Sequence, residues 1–121
     1  QSDWVVGLHI TDTSPLDVTD GIFFIKSDGS TGIDFVVEKD NSNTTTEDIA
    51  TNADDTFITL AWYIDPNASK VYYSVNNAEP VAVANTYLPD DEELTISFGI
   101  QNGAAAAKTM TMDYITCIVE R

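Results

Sequence analysis

The chain has 121 residues, of which 43% are hydrophobic and 10% aromatic, so it can form one globular domain and is not a disordered segment. Its 20 acidic residues against 5 Lys and Arg give a net charge of −15. A surface of this sign repels nucleic-acid phosphates and anionic lipids, so nucleic acid is all but excluded as a partner and a membrane is disfavoured. We predict a single domain over residues 1–121, suited to a basic partner or a cation.

A single cysteine, Cys117, excludes an internal disulfide, and no apolar run approaches the roughly 18 residues of a membrane span. The chain begins at Gln1 and enters a strand-like pattern within three residues. We interpret this start as that of a processed or trimmed chain.

Apolar and polar residues alternate along most of the chain, which is typical of half-buried β-strands. In the first segment, Trp4, Val6, Leu8 and Ile10 fall on one face. Turn residues separate the segments, and a chain of many short alternating strands predicts an all-β, antiparallel sandwich. The predicted strands are 3–11, 21–29, 31–41, 56–65, 70–77, 80–85, 93–103 and 108–121.

Two stretches are predicted to lie outside the strands. The polar stretch 39–55 is expected to be a long connection or edge that wraps the sandwich, and 104–108 a loop. In the last strand the apolar parity changes, which predicts a β-bulge near Asp113–Ile115.

Aromatic residues in 56–77 raise the question of a sugar-stacking platform. Trp62 shares its parity with apolar neighbours, and Tyr73 groups with two valines, so both are predicted to lie in the core. Phe57 and Tyr63 share the other parity, and Tyr72 alone is predicted to face outward. Because a platform needs two or three exposed coplanar rings, we interpret these aromatics as mostly core.

No catalytic group is predicted. The single histidine, His9, lies within a strand, and Cys117 lies in an apolar strand, so neither has the partner that an activated nucleophile needs. The two acids within strands, Asp34 and Glu38, share the face opposite Phe35, where a polar outer surface explains them.

Calcium is the cofactor that acidic sandwich loops would bind. The candidate ligands are Asp12, Asp17 and Asp20, and a second acidic loop, LPDDEEL, spans 88–94. Neither loop has an EF-hand pattern. We therefore predict no cofactor, and calcium is the alternative.

The segments TFITLAWYID (56–65) and KVYYSVNNAEPVAV (70–83) resemble those of concanavalin A-like, laminin G-type jelly-roll sandwiches. The segments 21–41 and 88–121 resemble short β-sandwich proteins of tailed-phage virions. An acidic strand of the E-x-D-x-E type, found in the glucanases of this superfamily, has no full counterpart here, since 38–42 reads EKDNS.

The resemblance implies a non-enzymatic jelly-roll protein of the virion, a capsid cement or decoration protein assembled in the bacterial cytoplasm. Its partners would be the major capsid protein and copies of itself, with Asp90, Asp91, Glu92 and Glu93 expected at the interface. The alternatives are a lectin-like carbohydrate-binding module for host attachment and, third, a glycosidase or lyase.

Overall fold

The computed structural model describes residues 2–11, 14 and 16–119, and the sequence-based prediction of an all-β sandwich is confirmed. All paired strands are antiparallel. Among these residues no helix is long and apolar enough to cross a membrane. Jelly-roll connectivity remains a prediction. The strands are β1 (Ser2–His9), β2 (Gly21–Lys26), β3 (Gly32–Lys39), β4 (Ser42–Thr51), β5 (Leu60–Asp65), β6 (Lys70–Val75), β7 (Val81–Ala84) and β8 (Thr95–Asn102).

The larger sheet has five strands in the order β4-β3-β2-β1-β8. Consecutive strands form hairpins from β1 to β4, and β8 returns to the free edge of β1. Because side chains alternate across a strand, every second residue of each strand faces the same side of the sheet. The inner row made by Phe35, Phe24, Val6 and Phe98 crosses four strands in register.

The smaller sheet has three strands in the order β5-β6-β7, and β7 contacts β4. Val71, Tyr73 and Val83 of this sheet pack against the inner side chains of β2 and β3. Phe35 contacts Tyr73 with ring centroids 5.1 Å apart. Trp62 lies half-buried against this core, as its parity predicts.

A second apolar cluster covers part of the outer face of the larger sheet. Val5, Phe23 and Val36 are buried there, and Leu16 and Val18 of the loop before β2 pack over them. Part of the outer face of the five-stranded sheet is therefore covered by the chain's own loop, and part of its inner face by the smaller sheet.

Of the two predictions for 39–55, a long connection or an edge, the edge is confirmed for residues 42–51, which form the edge strand β4. Asp40 and Asn41 both have positive φ, 51° and 58°, and join β3 to β4. This is the geometry of a two-residue type I′ hairpin, which Asp and Asn tolerate. The pairing shifts register between Ile33 and Phe35, so β4 carries an irregularity near its centre.

Candidate functional site

The inner face of the five-stranded sheet changes from fully buried to open across the sheet. In the row described above, Phe35 is 0% exposed and Phe24 2%, Val6 is half-buried, and Phe98 is 57% exposed. Ile96 and Ile100 of β8 are exposed on the same face. We name Ile96, Phe98 and Ile100 the β8 strip, and it is an apolar surface that the smaller sheet does not cover.

The cause of this opening is the unequal width of the two sheets. Neighbouring strands lie about 4.8 Å apart, so two strands of the larger sheet extend about 10 Å beyond the three-stranded one. Since β7 lies at β4, the uncovered strands are β1 and β8. The half-buried Trp4 marks the boundary of the covered region, and its Nε1 donates a hydrogen bond to Asn52 Oδ1 at 3.3 Å.

The C-terminal segment is not the strand that the alternation predicts. No strand is present between Gly103 and Val119. The β-bulge predicted near Asp113–Ile115 is therefore absent. Met110 and Met112 are half-buried, and every residue from 113 to 119 is exposed, with Ile118 at 89%. The apolar pattern is present, but in this structure nothing pairs with it among the described residues.

Sequence reasoning also misplaced one aromatic ring of the β5–β6 hairpin. Tyr63 and Tyr72 are cross-strand partners on the outer face, and their rings stack with centroids 4.9 Å apart and planes 9° apart. Tyr63 is therefore exposed, Tyr72 beside it is half-buried with its outward direction confirmed, and Phe57 is exposed before β5 begins. The two stacked rings contact each other face to face, so they do not form a coplanar platform.

The calcium candidates are not brought together as a metal site by the structure. Asp20 is buried, and its Oδ1 accepts a hydrogen bond from the Asp40 backbone N–H at 2.9 Å, which fixes the β3–β4 turn. Asp17 is exposed, and Asp12 lies outside the described residues. Over the described part of the chain, no group of three or more His, Cys, Asp or Glu side chains is arranged to hold a metal.

Asp34 and Glu38 share the outer face of β3, as predicted, but Glu38 is buried there and is not part of an exposed polar surface. Asp34 Oδ1 accepts a hydrogen bond from the Asp48 backbone N–H at 2.8 Å. This bond gives a partner to a backbone N–H in the irregular segment of β4. Four residues along a strand place the two acids roughly 13 Å apart, beyond the separation that either glycosidase geometry requires.

Glu38 is buried in the outer face, beside a shallow cavity of about 240 Å³ that Leu16, Val36 and Asn43 help to line. Burial raises the pKa of Glu38, the Asn43 side chain opposes this by hydrogen bonding, and the nearby charges of Asp20 and Asp17 raise it further. The carboxyl group is therefore easier to protonate than in water.

In the acidic loop, Asp90 and Asp91 form ion pairs with the chain's own Lys39, the second at 3.1 Å. The hydrogen bonds that Lys39 donates to these carboxylates raise the pKa of Lys39, and Lys39 in turn lowers the pKa of Asp90. Glu92 and Glu93 are exposed and make no ion pair with described residues. Two of the four predicted interface acids are thus already paired within the chain, both with the single charge of Lys39.

His9 is a packing residue, as predicted for a lone strand histidine. It is buried, its Nδ1 lies 2.9 Å from the Ile10 carbonyl oxygen, and its ring meets Phe23 edge-on. Its Nε2 has no partner among the described residues. Cys117 is exposed. The prediction that it lies in an apolar strand is therefore wrong.

The fold and the surface together define the chain as an all-β sandwich whose two sheets differ in width and leave an apolar strip open. Comparisons with protein-family models, with curated proteins and with solved structures found no match.

Proposed function

We propose that this chain is a non-enzymatic structural protein of a tailed-phage virion, a cement protein that binds the major capsid protein. The observation that carries the proposal is the β8 strip, three large apolar side chains exposed on one edge of an otherwise acidic molecule. Exposed apolar patches with polar surroundings are typical of protein interaction sites. The phage setting rests on the sequence resemblance described above.

The strip and its surroundings fit the usual anatomy of an interface. Apolar side chains in its centre exclude water, and polar groups such as Thr95, Ser97 and Thr11 lie beside them. A single contact of this size is weak, but many copies bound to one shell gain affinity through avidity. The protein would act on the capsid surface after assembly in the bacterial cytoplasm, beside further copies of itself.

Charge would guide the attachment. Because Lys39 already pairs with Asp90 and Asp91, Glu92 and Glu93 are the acids of this loop that remain to face basic residues of the shell. Rim charges mainly raise association rates, and salt screens them. Attachment is therefore expected to slow as the salt concentration rises.

The test is rebinding of the purified chain to capsid particles from which the cement layer has been stripped. Phe98→Asp should abolish rebinding, and Phe57→Asp, which changes a still more exposed phenylalanine outside the strip, should retain it. Glu92→Gln with Glu93→Gln should slow attachment and flatten its salt dependence. Equal rebinding of the two Phe variants would contradict a role of the strip in capsid binding. A wild-type attachment rate that does not change with salt would contradict a role of charge in attachment.

A second candidate function, carbohydrate binding, is favoured by the stacked pair of Tyr63 and Tyr72. Each ring has one face occupied by the other, which leaves an outer face on each for a sugar. Retention on immobilised glycans that is lost in Tyr63→Ala would support this function. The same panel should show no hydrolysis, and turnover that is lost in Glu38→Ala or Asp34→Ala would contradict a non-enzymatic role.

A further inference from the structure

The smaller sheet has two strands fewer than the larger one and leaves a gap over β1 and β8. The gap is floored by the β8 strip and by the half-buried inner side chains of β1. On one side it is bounded by β5, an edge strand of the smaller sheet. An edge strand presents unpaired backbone N–H and C=O groups, which are a template for another strand.

The same chain carries a segment that matches this gap. Residues 113–119, DYITCIV, which we name the C-terminal arm, are all exposed and belong to no sheet. Seven residues in extended form span roughly 23 Å, comparable to the roughly 20 Å of the six-residue β5. β-branched and aromatic residues predominate in the arm, and these favour strands.

The apolar residues of the arm alternate in the way that a strand over an apolar floor requires. Ile115, Cys117 and Val119 share one side, and Tyr114 and Ile118 the other. Four of these large side chains are exposed in one short segment. In an isolated chain this exposure does not stabilise the fold. Burial of such side chains is favourable, so the arm and the strip both gain from being covered.

Charge also favours the arm as the part of one copy that approaches another. Two chains that each carry −15 repel each other, and most of their surface is unsuited to close contact. Asp113 is the single charged residue of the arm, and Lys108 precedes it. The arm can therefore enter the gap of a second molecule with little added repulsion.

In this structure the arm is present, and the strip of the same chain is nevertheless open. We infer that the gap is filled by the C-terminal arm of a second copy, which adds as a strand beside β5 and covers the β8 strip. This is strand exchange between copies, in which main-chain hydrogen bonds supply affinity and apolar side chains set the position. It requires no capsid, and because the arm and the major capsid protein would occupy the same strip, the two contacts are alternatives for any one molecule.

Cys117 provides a direct test of the exchange. An acceptor chain carries Cys117→Ser together with one new cysteine at the strip, Ile96→Cys, Phe98→Cys or Ile100→Cys. It is mixed with tagged wild-type chain as the donor, under mild oxidation with diamide. A disulfide between donor and acceptor can then form only between two molecules, and non-reducing gels resolve it by the tag.

At least one strip position should give the mixed dimer several-fold faster than the control acceptor Ala68→Cys with Cys117→Ser. Ala68 is exposed in the β5–β6 turn, outside the strip. Mixed dimer formed no faster than in this control would overturn the exchange. So would disulfides that form only within one molecule when Cys117 and the strip cysteine share a chain, because the arm would then fill its own gap.

A second measurement uses no new cysteine. The wild-type chain should show a concentration-dependent dimer or larger species by light scattering, and Ile115→Asp or Phe98→Asp should return it to the monomer mass. Thr111→Asp, an exposed change before the arm, should leave association intact. A wild-type chain that stays monomeric at high concentration would contradict the inference.

Salt separates this inference from the proposed capsid function. Screening weakens the repulsion between two molecules of −15, so self-association should strengthen with salt while attachment to a shell slows. Either result can fail while the other holds. Self-association that weakens as salt rises would overturn the arm's role as a nearly neutral contact.

Discussion

Phe24 and Phe98 face the same side of the same sheet, each paired in register with Val6, yet Phe24 is 2% exposed and Phe98 57% exposed. The residues share their type, their face and their row. What differs is the second layer, which covers β2 and stops before β8. Burial in this protein is therefore decided by position across the sandwich and not by the alternation of each strand.

Truncation along this row should show the difference directly. Phe35→Ala, at the fully buried end, is expected to cost about 3–5 kcal/mol of unfolding free energy, as large core truncations do. Phe98→Ala should cost less than about 0.5 kcal/mol in dilute solution, as surface substitutions do. Urea denaturation at low protein concentration measures both, and equal costs would mean that β8 is covered in the monomer.

The β5–β6 hairpin offers a matched comparison between its two faces. Trp62→Ala is expected to cost about 2–4 kcal/mol, because the half-buried ring packs on the core without being fully enclosed. Tyr72→Ala loses the stacked contact with Tyr63 and should cost about 0.5–1.5 kcal/mol. Chemical denaturation of both variants tests the assignment, which the reverse order would contradict.

Glu38 should make stability depend on pH with a defined sign. Because burial raises its pKa in the folded state, the folded protein binds this proton more readily than the unfolded chain. The fold therefore gains stability as pH falls through the raised pKa toward the ordinary value near 4.5, and loses it as pH rises.

Glu38→Gln removes this titration and keeps a similar shape beside Asn43. The variant should exceed the wild type in unfolding free energy at pH 7.5, and the difference should shrink at pH 5. Glu47→Gln removes one exposed charge from β4 and is the control for general charge repulsion. A difference between Glu38→Gln and wild type that grows on acidification would show that the sign is wrong.

Most strands and their inward faces could be predicted from alternation alone, because β3 and β6 bury their inward apolar residues at every second position and β5 half-buries Leu60 and Trp62 at the same spacing. β4 is absent from the predicted strands because Ser42–Thr51 is polar on both sides, with Ile49 as its one large apolar residue. The signal that was present lies in its β-branched threonines and in Asp40–Asn41, a pair suited to a type I′ turn.

The candidate site could be predicted only in part. The shared parity of Ile96, Phe98 and Ile100 was visible, but parity states that residues lie on one face and not whether another layer covers it. For the same reason the alternation in the C-terminal arm predicts a strand. The alternation does not say whether the neighbouring strand belongs to the same molecule or to another. Asp34 and Asp20 were visible as acids, and their backbone hydrogen bonds depend on turns that alternation does not encode.

The return of β8 to β1 has a consequence for how the chain is made. Ser2 pairs with Asn102, so the first strand waits for nearly the whole described chain before its second edge is filled. The hairpins from β1 to β4 join neighbours in sequence and can form while later residues are still being synthesised, whereas distant pairing adds loop-closure entropy and is slow. During that interval the open edge of β1 is a site where a nascent chain is exposed to mispairing, and a chaperone that binds extended segments would act there first.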